Sequence, residues 1–211
     1  MGPCPVGRVS LLDEILNNFV ELRGNLGGRP RLSHVSRDEA YYVFPLEVQR
    51  LSGTIDTLNI MARQELLEQV ELTDQPKITV CGELRSFNNK SGNGKRLVIT
   101  VFARTIVLGD GPDRNHVALR GVICKPPNLR RTPMGREICD LMLAIGRRYG
   151  RSDYLPCISW GQSAIEAAGW PVGAIALLTG RVQSRMYIKQ EHGSAVEKVA
   201  FEVSTITQER R

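Results

Sequence analysis

Flat aromatic rings and positive side chains are interspersed along the second half of the chain, between residues 131 and 189. The rings are Tyr149, Tyr154, Trp160 and Tyr187. The cations are Arg131, Arg136, Arg147, Arg148, Arg151, Arg181, Arg185 and Lys189. Rings offer faces on which bases stack and cations contact phosphates, which is the combination that binding of single-stranded nucleic acid requires. Packing in a core is the alternative for each ring, and it is the interpretation we favour for Trp170, which lies beside Pro171.

The excess positive charge is confined to the same half. Residues 1–110 contain 13 Lys/Arg and 13 Asp/Glu, whereas residues 111–211 contain 15 and 9, which accounts for the formal net charge of +6. A basic surface attracts polyanions and speeds their encounter with the protein. Charge alone leaves DNA, RNA and an acidic protein open as the polyanion, together with the alternative of a basic domain that has no such partner.

The side chains that enzymes and metal sites need are scattered. The histidines are His34, His116 and His192. They form no arrangement with Ser, Asp or Glu that recurs in both halves, and GNGK at residues 92–95 lacks the spacing of a phosphate-binding loop. The five cysteines contain no CxxC pair, which argues against a zinc site and against a disulfide framework. We therefore predict a protein that is not an enzyme and that uses no cofactor or metal.

An internal repeat relates the two halves. Residues 18–24 read NFVELRG and residues 115–121 read NHVALRG, at an offset of 97. The same offset pairs Arg50 with Arg147 and Asp56 with Asp153, and an offset of 98 pairs Gly82 with Gly180 and Ser86 with Ser184. Matches that keep their order and spacing indicate duplication of one folding unit. We predict an N-terminal extension at residues 1–16, a first domain at 17–110 and a second at 111–211, and we expect both aspartates of the repeat to end turns.

Each half is rich in predicted strands, because apolar and polar residues alternate with the period of a half-buried strand. The pattern predicts strands at 19–24, 42–50, 58–62, 77–87 and 97–108, and again at 116–121, 138–147, 155–160, 174–187 and 196–206. A short helix is predicted at 64–70 and at 162–168, between the third and fourth strands of each half. This order is that of the OB-fold, a five-stranded Greek-key barrel. We therefore predict an all-β protein with two tandem OB-folds.

Four segments of the second half form a characteristic set. They are NHVALRG at 115–121, NLRRTPMG at 128–135, DYLPCISWG at 153–161 and GRVQSRMY at 180–187. Together they resemble the bacterial single-stranded DNA-binding protein (SSB) family across residues 115–207. The resemblance implies that the four aromatic residues named above stack on bases and that the cations around them contact phosphates. Over residues 17–108 it is weaker and is carried by the first strand and the repeat.

The first half lacks the corresponding aromatics. The counterparts of Tyr154 and Trp160 are Thr57 and Arg63, and the charge of this half is balanced. These differences favour a scaffold or assembly role for the first OB-fold. Residues available for a secondary contact with nucleic acid are Phe87, Lys90, Lys95 and Arg96.

The resemblance implies non-enzymatic binding of single-stranded DNA, which protects or organises exposed strands in replication, recombination or repair. An adaptor that assembles a primosome or recombination complex, with nucleic acid contact secondary, is the alternative, and RNA binding through the same fold is a third. Because family members combine four OB-folds, a chain with two is expected to form a homodimer.

The ends of the chain and its hydropathy add two expectations. The chain finishes at Arg211 without the acidic tip that family members use for recruitment, so tail-mediated recruitment of repair proteins is not expected. No apolar run reaches the length of a membrane-spanning helix, and the first residues lack the apolar stretch of a signal peptide. We expect no membrane partner and a location in the bacterial cytoplasm or nucleoid.

Overall fold

The computed structural model describes residues 17–70, 76–88, 97–147, 150–191 and 194–210. The first half contains β1 (Asn18–Leu26), β2 (Arg31–Ser36), β3 (Glu39–Gln49), β4 (Ile55–Arg63), α1 (Gln64–Glu68), β5 (Lys77–Asn88) and β6 (Leu97–Leu108). The second half contains β7 (Arg114–Ile123), β8 (Asn128–Arg131), β9 (Glu137–Gly146), β10 (Ser152–Trp160), α2 (Gln162–Ala168), β11 (Ile175–Glu191) and β12 (Ser194–Arg210). The protein is mostly β, and each helix follows the third predicted strand of its half, as the sequence predicts.

Each half closes a barrel in the same way. In the first half, β1 pairs with both β3 and β5, and β4 pairs in parallel with β6, which closes the sheet on itself. In the second half, β7 pairs with β9 and β11, and β10 pairs in parallel with β12. These pairings produce the OB-fold topology in both halves. The division of the chain into separate domains at the predicted boundaries stays a prediction.

Two short strands, β2 and β8, add to the five predicted in each half. β2 forms a hairpin with β3 through Arg37 and Asp38, which have φ of 52° and 62°. Positive φ at both central residues is the geometry of a type I′ turn, which matches the twist of the flanking strands. β8 forms the equivalent hairpin with β9, within the segment that resembles the family's turn. Local alternation did not reveal these strands because both are exposed along their whole length.

The strand order is palindromic: β2-β3-β4-β6-β5-β1 continues directly into β7-β11-β12-β10-β9-β8. The centre of this order is the antiparallel pair formed by β1 and β7. Val20 lies opposite Val117 in that pair, and the two residues occupy the same position of the internal repeat. The halves are therefore related by an approximate twofold axis that passes between these valines.

The core of each barrel is formed by the inward-facing residues of the alternating strands. Phe44, Leu46, Leu58 and Ile60 are buried in the first barrel, and their equivalents on β9 and β10 are buried in the second. Ala164 and Ala167 of α2 are also fully buried, so this helix covers the second barrel with a small-residue face. Among the described residues, no helix is long and apolar enough to cross a membrane.

The repeated glycines lie where strands approach most closely. A Cβ added to Gly82 would lie 2.1 Å from the carbonyl oxygen of Phe102, and one added to Gly180 would lie 2.2 Å from that of Ser204. A backbone oxygen cannot move aside as a flexible side chain can, so these positions exclude every other residue. Both glycines lie at a register shift of their strand pair, where the sheet bends.

The described cysteines differ in state. Cys124, Cys139 and Cys157 carry free thiols, and burial raises the pKa of Cys157 far above its usual range. Cys81 is disulfide-bonded, which corrects for this position the expectation drawn from cysteine spacing. Within the parts of the chain that the structure describes, no group of three or more His, Cys, Asp or Glu residues could hold a metal ion.

Candidate nucleic-acid interface

Tyr154 and Trp160 lie on the outward side of β10. Their exposed fractions are 49% and 39%, whereas the intervening Leu155 and Cys157 are buried in the barrel. Six residues of extended strand separate the two rings by about 20 Å along β10. Both rings are therefore accessible to a ligand on the same sheet, while Trp170, at 9% exposure, packs in the core as expected.

The indole of Trp160 is held from the neighbouring strand. Its Nε1 donates a hydrogen bond to Oγ of Ser204 on β12, at 3.1 Å. Ser204 lies directly opposite Arg181 across β12 and β11. This bond satisfies the polar edge of the indole and fixes the ring, so that one of its faces can be presented to a base without a large loss of side-chain entropy.

The predicted cations differ in whether an acidic side chain already pairs with them. Arg131 is ion-paired with Glu137 next to the turn of the β8–β9 hairpin, and Arg136 is exposed in that turn. Arg151 is exposed just before β10, and Arg181 is partly exposed on β11. Arg136, Arg151 and Arg181 have no ion pair to a carboxylate among the described residues, so they are the cations best placed for a phosphate.

Arg147 has a different environment. Its guanidinium donates two hydrogen bonds to the carboxylate of Asp153, which is completely buried, and a third to the carbonyl oxygen of Ser86 at 3.0 Å. The backbone N–H of Ser86 donates to Asp153 Oδ1 at 2.5 Å, and the backbone N–H of Tyr154 donates to Ser86 Oγ at 2.7 Å. Arg147 therefore ties the second barrel to β5 of the first, and its charge is balanced by a buried carboxylate.

The same contact is repeated on the other side of the twofold axis. Arg50 donates to the buried Asp56 from Nε at 2.7 Å, and to the carbonyl oxygen of Ser184 at 3.4 Å. The backbone N–H of Ser184 donates to Asp56 Oδ1 at 2.8 Å, and that of Thr57 donates to Ser184 Oγ at 3.3 Å. We call these two sets the Arg–Asp–Ser locks. The equivalent residues of the two halves therefore meet at the contact between the barrels. The expectation that the two aspartates end turns did not include this contact.

Several predicted site residues lie outside the described residues or are described by their backbone alone. Arg148, Tyr149, Lys90, Lys95 and Arg96 lie outside the described residues. Arg185, Tyr187 and Lys189 belong to β11, but only their backbone is described. Phe87 lies on β5 with 46% of its surface exposed, immediately after the lock residue Ser86.

The first barrel contains an aromatic cluster that the sequence analysis did not select. The rings of His34 and Tyr41 stack with centroids 4.9 Å apart and planes 7° apart, and the ring of Phe102 lies 6.1 Å from that of Tyr41. Arg104 and Arg85 lie over the Phe102 ring, with Cζ at 5.2 and 5.9 Å from its centroid. The alternation of inward and outward residues along β6 is the sequence signal that could have identified Phe102. Phe102 falls between the buried Val101 and Ala103, so it must face outward.

Comparison with known proteins shows which family the second half of the chain resembles. Residues 114–208 match the model of the single-strand binding protein family. Among relatives, single-stranded DNA-binding protein 3 of Streptococcus agalactiae is 32% identical over 36% of this chain and 61% of its own length. Single-stranded DNA-binding protein A of Bacillus subtilis is 32% identical over 36% of this chain and 49% of its own length. The matched region thus spans about half to three-fifths of the relatives' length.

The fold of nearly the whole chain also has a known counterpart. The crystal structure of the wild-type single-stranded DNA binding protein from Thermus aquaticus superimposes with a TM-score of 0.75 over 92% of each chain, at 22% identity. That likeness establishes the fold for both barrels, and the match to the family model concerns the second. Residues 114–208 of this chain are therefore similar to the single-strand binding protein family.

Proposed function

We propose that this protein binds single-stranded DNA without catalysing a reaction, and that the outward face of β10 with the neighbouring strands is its principal contact. The observation that carries the proposal is the pair Tyr154 and Trp160, two accessible rings on one strand, the second held by Ser204. Rings in such positions stack on bases irrespective of sequence. The names of the relatives support single-stranded DNA as the ligand.

Phosphate contacts come from the cations that, within the described part of the chain, no acidic side chain neutralises. Arg151 lies just before the strand that carries Tyr154, and Arg181 lies opposite Ser204, which holds Trp160. Cations beside stacking rings give both affinity and a steep dependence on salt, because bound phosphates release counterions. This binding protects or organises exposed strands in replication, recombination or repair. We expect the protein in the cytoplasm.

The assembly we propose is a homodimer with four OB-folds. Within one chain, the β1–β7 pair and the two Arg–Asp–Ser locks already join two barrels about a twofold axis. Residues 17–110 and 111–211 are the two domains of this arrangement, and 1–16 precede them. In such a dimer the first domain contributes to assembly, which is the scaffold role expected from its sequence.

Competition binding tests the function. Fluorescently labelled oligo-dT is bound to the full chain and displaced with unlabelled oligo-dT, oligo-U or duplex DNA, and anisotropy reports the bound fraction. We expect oligo-dT to compete far better than the duplex, since paired bases cannot reach the rings of β10. Equal competition by duplex would refute base stacking, and stronger competition by oligo-U would assign the protein to RNA. Absence of binding would favour the adaptor alternative.

A further inference from the structure

We infer that Ser86 of the first barrel is a positioning residue for DNA binding by the second barrel, because its hydroxyl holds the segment of β10 that carries Tyr154. The inference rests on the proposed function, since it assumes that the Tyr154 ring stacks on a base. In this role Ser86 acts through Tyr154 and needs no contact of its own with DNA. The first barrel thus contributes to the affinity of the second by fixing the place of one of its rings.

The backbone of β10 at Tyr154 is completed by the first barrel. On one side, β10 pairs with β9, where Tyr154 lies opposite Ala144. On the other side, β10 pairs with β12 at Cys157 and Ile158, further along the strand. The backbone N–H of Tyr154 donates a hydrogen bond to Oγ of Ser86 on β5, at 2.7 Å. A hydroxyl from the other barrel therefore accepts the bond that a neighbouring strand would otherwise accept.

The residue before Tyr154 is bonded to the same part of β5. Asp153 is completely buried, and its carboxylate accepts hydrogen bonds from the backbone N–H of Ser86 at 2.5 Å and from Arg85 at 3.2 Å. Arg147 donates to the same carboxylate from the second barrel. Two consecutive residues of β10 are thus bonded to two consecutive residues of β5, which leaves the backbone at Tyr154 little freedom to shift.

A fixed backbone matters for a ring that has to stack. Tyr154 is 49% exposed, so packing covers only part of its surface and the backbone has a large share in setting its position. A ring that is ordered before the ligand arrives loses less conformational entropy on binding. Ser86 is itself only 8% exposed, so it presents little surface to a strand of DNA. Loss of its hydroxyl should therefore reduce affinity through the ring of Tyr154.

The contact related by the twofold axis has the same serine but no ring. There the backbone N–H of Thr57 donates to Oγ of Ser184 at 3.3 Å, and Asp56 supplies the buried carboxylate. Ser184 Oγ also donates to Asp56 Oδ1 at 3.2 Å. Thr57 is the counterpart of Tyr154 in the repeat, so this serine joins the barrels without positioning an aromatic side chain. Ser184 is therefore a matched control for Ser86.

Removal of one hydroxyl tests the inference in the full chain. Ser86→Ala deletes the acceptor of the Tyr154 N–H but keeps the backbone groups of residue 86 that bond Asp153 and Arg147. We expect this change to weaken oligo-dT binding about three- to tenfold, measured by anisotropy at a temperature at which circular dichroism shows the variant to be folded. Ser184→Ala should lower the melting temperature at least as much and leave the affinity unchanged.

A double-mutant cycle separates positioning from direct contact with DNA. If Ser86 acts through the ring, Ser86→Ala should change affinity very little when Tyr154→Ala is already present, because no ring is left to position. The same loss in both backgrounds would show that Ser86 contacts DNA itself and would overturn the inference. Unchanged affinity of Ser86→Ala, or an equal loss in Ser184→Ala, would also overturn it while leaving the proposed function intact. Wild-type affinity of Tyr154→Ala would refute the stacking on which the proposed function rests, and the inference with it.

Discussion

Val20 of β1 lies opposite Val117 of β7, and the two valines are the same residue of the duplicated unit. An approximate twofold axis between equivalent residues is what two identical subunits form when they associate through a shared surface. Here a single chain makes that contact internally. The Arg–Asp–Ser locks lie on either side of this axis and fix the position of one barrel relative to the other.

Stacking on β10 predicts loss of affinity without loss of fold. Trp160→Ala and Tyr154→Ala should each weaken oligo-dT binding by about 1 to 3 kcal/mol, and Trp160→Phe should retain most of the affinity because a ring remains. Anisotropy and melting temperature check this. Trp170→Ala is the control, since loss of that buried ring should cost roughly 3 kcal/mol or more of stability. Unfolding of Trp160→Ala with normal affinity in the folded fraction would show that Trp160 packs.

The locks predict a large stability effect from an isosteric change. Asp153→Asn leaves the partly buried guanidinium of Arg147 without its counter-charge, so we expect a loss of roughly 3 kcal/mol in the free energy of unfolding, and a similar loss for Asp56→Asn. Urea unfolding measures both. Asp140→Asn is the matched control, because Asp140 pairs with Arg130 at the surface and should contribute less than about 1 kcal/mol. Equal effects of all three changes would contradict the lock.

His116 predicts acid sensitivity at the junction of the barrels. Burial, and then Arg114, lower the pKa of His116, while Glu21 acts in the opposite direction. The folded state therefore favours the neutral ring, so this stability is complete above the unfolded pKa of about 6.5 and is lost as the pH falls toward the lower folded value. Melting temperature should fall from about pH 7.5 to about pH 5, and less so in His116→Gln. An identical decline in the variant would exclude His116 as its source.

The basic track predicts a change in salt dependence. Log K for oligo-dT should fall with log salt by about 0.7 per phosphate contacted, and Arg151→Gln with Arg181→Gln should make this fall less steep. Arg130→Gln is the control, because Asp140 holds that guanidinium at 2.6 and 3.0 Å. A wild-type slope in the double variant would argue against this track. Arg147→Gln belongs with the lock variants and should lower stability.

Assembly predicts a defined mass. Light scattering at micromolar protein should give about twice the chain mass of 23.5 kDa. A second pair of barrels would bring the assembly to the four OB-folds of the resembled family. A monomer under these conditions would mean that the two linked barrels act alone, with affinity raised by the tether between them.

The sequence determined the elements that depend on neighbouring residues. Alternation located the five long strands and the helix of each half, and the repeat at offsets of 97 and 98 revealed the duplication. The accessibility of Tyr154 and Trp160 was implied by the family resemblance. The strands and helices are local features, since the residues of one segment decide each of them, and the repeat is visible by comparing the two halves of the sequence.

The tertiary structure alone decided the roles that depend on contacts between distant residues. Arg147 looks like a phosphate ligand in the sequence, but 61 positions separate it from Ser86, to which it bonds in the other barrel. Likewise, His34 and Phe102 join one aromatic row only because β2, β3, β4 and β6 are neighbours in the sheet. Strand order and register fix which side chains meet, and no pattern within a strand records them.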